Sequence, residues 1–155
     1  MANIKEGSKA PDFELENNSG EDIRLSDFKG HNVVLYFYPK DNTPGCTKEA
    51  CSFQAARSKL EKMNAIVIGV SPDSAASHSK FSDRYGLKFH LLCDEDKKVL
   101  RQYGVWQRKT FLGKSYMGVV RTTVVIDAQG KIRKIFPKVS VDGHTEEVMN
   151  VLRLL

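Results

Sequence analysis

Cysteine is scarce in this chain of 155 residues: there are three, with one tryptophan and five prolines. Three cysteines cannot make the disulfide scaffold of a small secreted domain. Neither they nor His31, His78, His90 and His144 show the paired spacing of a zinc site, so no metal is expected. No apolar run approaches the roughly 20 residues that span a bilayer, and no membrane association is expected. The opening Met1-Ala2-Asn3-Ile4-Lys5-Glu6 lacks the apolar centre of a signal peptide, which makes the cytoplasm the expected location. Internal repeats, low-complexity tracts and linkers are also missing, and residues 1–155 read as a single domain.

What is present is an ordinary globular composition, 41% hydrophobic and 28% charged, with a formal net charge of +5. The basic residues gather at Lys131, Arg133, Lys134 and Lys138, and at Arg108, Lys109 and Lys114. No nucleic-acid motif accompanies them, so they read as solubilising charge, and nucleic acid is not an expected partner.

The pattern along the chain alternates strands with helices. A hairpin is expected over 13–25 around Asn17-Asn18-Ser19-Gly20, and a buried strand over 32–38. The spacing predicts a helix from Thr47 to Lys62 whose apolar stripe is Phe53, Ala56, Leu60 and Met63. A strand at Ala65–Val70, a helix from Ser74 to Tyr85, a short strand at His90–Leu92 and a helix near 95–103 follow. Trp106 and Lys109–Gly113 read as a packed loop or small apolar patch. Strands at Thr122–Ile126 and Lys131–Phe136, joined by a tight turn at Asp127–Gly130, lead to a last helix over His144–Leu155. Together these give an α/β fold around a mixed sheet.

The most informative segment is Pro39-Lys40-Asp41-Asn42-Thr43-Pro44-Gly45-Cys46, with Cys51 five residues on. Cys46 sits where a loop turns into a helix, where unpaired N–H groups and the helix dipole favour an anion. A thiol so placed ionises more easily, and the thiolate is the nucleophile. Cys46 falls on the inward side of the predicted helix. Cys51 lies about 200° from Phe53, near Thr47, Lys48, Ala55 and Ser58, a mostly polar face where packing does not account for it. Cys93, closing the run Leu91-Leu92, reads as a core or strand-end residue.

Pro39, Thr43 and Cys46 match the Pro-x-x-x-Thr-x-x-Cys signature, and Thr43-Pro44-Gly45-Cys46-Thr47-Lys48-Glu49-Ala50-Cys51 resembles the bacterioferritin comigratory protein (PrxQ) subgroup of peroxiredoxins. The resemblance extends to Gly7–Phe13, Gly69–Asp73 and Val119–Thr123, and so to nearly the whole chain. It implies a thioredoxin-like fold, a mixed central sheet flanked by helices with an N-terminal β-hairpin extension. It also implies a thiol peroxidase that reduces hydrogen peroxide and organic hydroperoxides without metal, haem or flavin, recycled by a thioredoxin-like protein. By the same resemblance Arg121 stands beside the peroxidatic thiolate, charged at every relevant pH. Glu49 could orient Arg121 or be a solvated helix carboxylate. Thr43 and the N–H groups near Gly45 and Cys46 would face sulfur and peroxide, with Pro39 and Pro44 stiffening the loop. Thr43 could equally be a turn residue bonding its own backbone.

In that chemistry Cys46 becomes a sulfenic acid and Cys51 condenses with it to an intramolecular disulfide. Some relatives carry the resolving thiol in the helix after the Ser-Pro-Asp segment, and the comparable position here is Ser82, which leaves Cys51 as the better candidate, with Cys93 the alternative resolving thiol. An intramolecular partner removes the need for a dimer, so a monomer is expected. Two other readings compete. A thioredoxin-type disulfide reductase would favour Cys-x-x-Cys over the Cys-x-x-x-x-Cys found here. A redox sensor or weak nucleic-acid binder would turn over slowly or not at all.

Overall fold

Val33 to Tyr38 are buried without interruption, and this run forms the spine of a sheet in the computed structural model, which describes residues 4–155. Met1–Asn3, part of the stretch read for a leader, lie outside the described residues. In chain order the strands are β1 (Glu14–Asn17), β2 (Asp22–Arg24), β3 (Asn32–Phe37), β4 (Ala65–Ser71), β5 (His90–Cys93), β6 (Trp106–Phe111), β7 (Lys114–Val119), β8 (Thr122–Ile126) and β9 (Ile132–Phe136). The helices are α1 (Pro44–Ala55), α2 (Arg57–Lys62), α3 (Ala75–Tyr85), α4 (Lys98–Gln102) and α5 (His144–Leu152).

Seven strands form one mixed sheet in the order β2-β1-β5-β4-β3-β8-β9. β3, β4 and β5 run parallel, while β8, β9 and the β1–β2 hairpin are antiparallel to their neighbours. The N-terminal hairpin is thus bonded into the sheet through β5. Side chains alternate along β3 because successive Cβ atoms leave a strand on opposite faces. Val34, Tyr36 and Tyr38 meet Phe53, Leu60, Phe81 and Val148 from α1, α2, α3 and α5. Val33, Leu35 and Phe37 meet Phe13, Leu100, Tyr103 and Ile132 on the other side. Each such buried side chain contributes about 1.5–3 kcal/mol of hydrophobic stabilisation.

Several boundaries differ from the sequence-based expectation. The helix expected over 47–62 begins at Pro44 and breaks at Ala56 (φ −90°, ψ 0°) into α1 and α2. Proline is suited to the first helical position, where its missing N–H has no partner to lose. The helix expected near 95–103 is only Lys98–Gln102, entered through Lys97 in the left-handed region. The last helix stops at Leu152. The residues read as a packed loop or small apolar patch, Trp106 and Lys109–Gly113, lie in a β-hairpin: β6 and β7 pair from Trp106↔Val119 to Phe111↔Lys114. Its turn residues Leu112 (φ 51°) and Gly113 (φ 78°) both lie in the left-handed region, as a two-residue hairpin turn requires.

Candidate active site

The site grows from the carboxyl end of β3. Tyr38 is buried behind the strand, Pro39 is half-buried, and the chain turns through Lys40–Asn42 to Thr43, the N-cap of α1. Cys46 lies in the first helical turn with 1% exposure. Helix N–H groups there have no carbonyl one turn earlier, and their partial positive charge faces the thiol.

Register brings the arginine to it. β8 is antiparallel to β3 with Phe37 opposite Thr122, so the residue before β8, Arg121, lies level with the start of the loop. Its Nη2 donates to Cys46 Sγ at 3.3 Å and its Nη1 to Glu49 Oε1 at 2.6 Å. Glu49 follows Cys46 by three residues on the same helix, which aligns the two side chains on one face. Arg121 is 18% exposed and Glu49 only 2%, so Glu49 is a buried carboxyl and the solvated alternative is excluded. Burial raises the Glu49 pKa from its ordinary 4.5 to about 7, against the lowering effect of Arg121. Burial works against the Arg121 cation, but Glu49 and Cys46 together hold its pKa above the ordinary value.

Thr43 is half-buried and its hydroxyl donates to the Lys40 carbonyl at 2.8 Å. The hydroxyl therefore closes its own turn, and Thr43, though at the N-cap position, makes no side-chain cap bond to α1; its remaining lone pairs stay available to a donor. Cys51 is half-buried on α1, off the face shared by Cys46, Glu49, Ala50 and Phe53. Cys46, Cys51 and Cys93 are all free thiols. Cys93 ends β5, as the strand-end reading had it. Ser82 is buried, and its hydroxyl has no hydrogen-bond partner.

Three residues next to the site were not singled out from sequence. Tyr36 stacks on Tyr38 and packs 4.9 Å from the Phe53 ring. Burial first, then the nearby Glu49 and Cys46, push its phenol well above the ordinary pKa. Asp41 of the loop and His78 of α3 form a buried pair, Nδ1 to Oδ2 2.7 Å. His78 shares the inward face of α3 with Phe81 and Ser82, so its spacing of three and four from those positions was a signal that could have been used.

A buried thiol at a helix N-terminus, hydrogen-bonded by an arginine at the end of the neighbouring strand of an α/β sheet, defines a thiol-dependent redox protein. The AhpC/TSA family model matches residues 7–135, and the chain belongs to that family as a peroxiredoxin of the Bcp/PrxQ type, a thiol-dependent peroxidase. It is 50% identical over 149 residues to a putative peroxiredoxin bcp of Coxiella burnetii, covering 96% of this chain and 99% of that relative. A cysteine-to-serine variant of PrxQ from Xylella fastidiosa matches with a TM-score of 0.93 at 34% identity, over 99% of this chain and 98% of that one. The bacterioferritin comigratory protein of Xanthomonas campestris, solved as trapped intermediate and ligand complexes bearing on its alkyl peroxide reduction, matches with a TM-score of 0.87 at 36% identity, over 92% and 90%. These matches carry the thioredoxin fold to this chain.

Proposed function

We propose that Cys46 is the peroxidatic thiol and Cys51 its resolving partner, in a domain spanning the whole chain. The observation that carries the reading is the Arg121 Nη2 to Cys46 Sγ hydrogen bond of 3.3 Å inside a nearly closed helix N-terminus. A guanidinium there stabilises the thiolate and the negative charge that develops as the O–O bond breaks. The thiolate attacks the terminal hydroperoxide oxygen, the S–O bond forms as the O–O bond breaks, and the leaving alkoxide or hydroxide takes a proton. Cys46 is oxidised to the sulfenic acid and the peroxide reduced to alcohol or water. Cys51 then attacks that sulfur, releasing water and forming the disulfide, which an external dithiol reduces by exchange.

Sulfur supplies the two electrons, so the cycle runs without a resident metal or organic cofactor. Hydrogen peroxide and organic hydroperoxides are the proposed substrates and a thioredoxin-type protein the proposed reductant. Pro39 and Pro44 hold the loop, Thr43 offers its oxygen at the pocket, and Glu49 orients Arg121. Among the described residues no helix is long and apolar enough to cross a membrane; a cytoplasmic monomer is proposed, with the basic residues as surface charge and not a nucleic-acid site.

One equivalent of hydrogen peroxide added to reduced protein, followed by disulfide mapping, tests the reading. Trypsin cuts after Lys48, between the two cysteines, and makes a Cys46–Cys51 bond directly visible. A Cys46–Cys93 bond would overturn the resolving assignment. A Cys46 that stays a thiol would overturn the peroxidatic one.

A further inference from the structure

Asp41 lies in the loop five residues before Cys46, and three donors converge on its carboxylate. Tyr38 Oη donates to Oδ1 at 2.6 Å; Ser77 Oγ at 2.8 Å and His78 Nδ1 at 2.7 Å both reach Oδ2. Its backbone N–H donates to Asp73 Oδ2 at 2.8 Å, and Asp73 is itself held by Ser71 Oγ. The loop is thereby tied to β3, to the start of α3 and to the turn after β4. Asp41, Asp73 and His78 form a group of metal-ligating type, with one ligand atom from each lying within 4.8 Å of the others. The Asp41 oxygens and His78 nitrogens are already engaged with protein partners, so the cluster reads as a self-contained network.

The second nitrogen of His78 decides its charge. Nε2 lies 2.9 Å from the Leu92 carbonyl oxygen, which can only accept. Nδ1 faces the Asp41 carboxylate, which as an anion also only accepts. A neutral imidazole has one lone pair, and either tautomer would aim it at an oxygen lone pair inside a fully buried site. With Asp41 ionised, this geometry favours a proton on both nitrogens, although the Tyr38 hydroxyl also lies 3.4 Å from Nδ1.

We infer that His78 is a buried imidazolium whose ion pair with Asp41 fixes the loop Lys40–Thr43, and that it is a positioning residue for the peroxide reaction. The inference rests on the reading of Cys46 as the reacting thiol. The side chains of the pair are 0% and 3% exposed, so removing one partner strands the other charge away from water. Released from its anchor, the loop lets the N-terminus of α1 shift against Arg121, which is held separately by β8. The groups facing the ring are Asp41 from the loop, Tyr38 just after β3, Ser77 from α3 and Cys93 from β5, with Asp73 behind Asp41. Burial alone would lower the His78 pKa. The hydrogen bond to Asp41, then the Cys93 thiol, the Asp41 charge and the Leu92 carbonyl, raise it from 6.5 to about 10. A raised pKa means that this stabilisation is fully present below 6.5 and is lost as pH rises through about 10, so the anchor holds throughout the neutral range.

Two measurements test it. Nitrogen-15 NMR of histidine-labelled reduced protein should show both His78 ring nitrogens protonated from about pH 6 to about pH 8. A single protonated nitrogen, or titration near the ordinary value, would overturn the charge assignment. In H78Q and D41N, the pH profile of Cys46 alkylation, located by mass spectrometry, should move to higher pH. Reaction of Cys46 with hydrogen peroxide should slow on the order of 10- to 100-fold, with helical circular dichroism kept. A network that only stabilised the fold would lower the thermal midpoint and leave the alkylation profile in place, and that result would overturn the positioning role. Should those variants fold poorly, S77A removes one donor from Asp41, and the same shift at smaller size is expected; an unmoved profile overturns the role. Wild-type protein inert to peroxide would instead strike at the reading of Cys46 itself.

Discussion

Glu49 Oε1 lies 2.6 Å from Arg121 Nη1, yet Glu49 Oε2 is buried without a hydrogen-bond partner. One guanidinium thus serves two acids, this carboxyl and the Cys46 thiol, in a place from which water is largely excluded. Under the proposed role of Glu49 in orienting the arginine, that contact comes at the expense of fold stability.

That expense depends on pH in a definite direction. The Glu49 pKa is raised in the fold from 4.5 to about 7, so the native state keeps a proton that the unfolded chain releases between those values. Stability linked to Glu49 is fully present below 4.5 and is lost as pH rises through about 7. The shift corresponds to about 3 kcal/mol. In a C46S background, which removes thiol ionisation, E49Q should gain roughly 2–3 kcal/mol on its parent between pH 4.5 and about pH 8. Urea unfolding at the two pH values measures this. With Cys46 present, E49Q should react more slowly with peroxide.

Gly45 carries a second prediction. A Cβ at this position would stand 3.2 Å from Arg121 Nη2, the nitrogen that donates to Cys46. Alanine suits a helix better than glycine, so G45A should cost little stability while displacing the guanidinium. Peroxide reactivity of Cys46 should fall on the order of 10-fold or more, read by stopped-flow single turnover beside a thermal melt.

Disulfide formation should consume helix. In an intact helix residues five apart have Cα atoms roughly 8.7 Å apart, and a disulfide tolerates at most about 6.8 Å. Phe53, packed on the Tyr36 ring at 4.9 Å and on His144 at 6.1 Å, anchors the far part of α1, so opening is confined to the turns before it. Far-UV circular dichroism should fall by about two turns of helix when wild type is oxidised, and should not change in C51S. Unchanged ellipticity with a mapped Cys46–Cys51 bond would overturn this.

Gly69 tests the core beneath the site. An added Cβ would meet Tyr36 Cζ at 2.9 Å and Leu91 Cδ2 at 3.0 Å, both side chains being fully buried. G69A should lose about 1–3 kcal/mol by overpacking, read as a lower urea midpoint with an unchanged slope.

Much of this was legible because the signals are local. The continuous apolar runs gave β3 and β4, and the stripe Phe53, Ala56, Leu60 and Met63 gave the buried face of α1 and α2. Cys46 was placed by its loop-to-helix position, and Arg121 by resemblance alone, since nothing near it in sequence discloses the register with β3. The start of α1 was missed because Thr43-Pro44-Gly45 carries turn chemistry, although proline opens helices well. β6 and β7 were missed because several of their residues are exposed and charged on both faces, which erases the alternation a half-buried strand shows. Their turn is Leu112-Gly113, which lacks the asparagine or aspartate that usually marks such a turn. The Asp41–His78 pair joins residues 37 positions apart and shows no short-range pattern.

The break at Ala56 bears on how far oxidation can reach. Helix melting is cooperative along a continuous ladder of hydrogen bonds, and a disruption starting at Cys46 would otherwise travel down one long rod. Here the rod is already in two pieces: Ala56 bonds back to Ser52 and α2 begins afresh at Arg57, with Leu60 seated in the core. If the proposed disulfide opens the reactive segment, this joint would act as a firebreak, leaving α2 and the β4 strand it leads into standing.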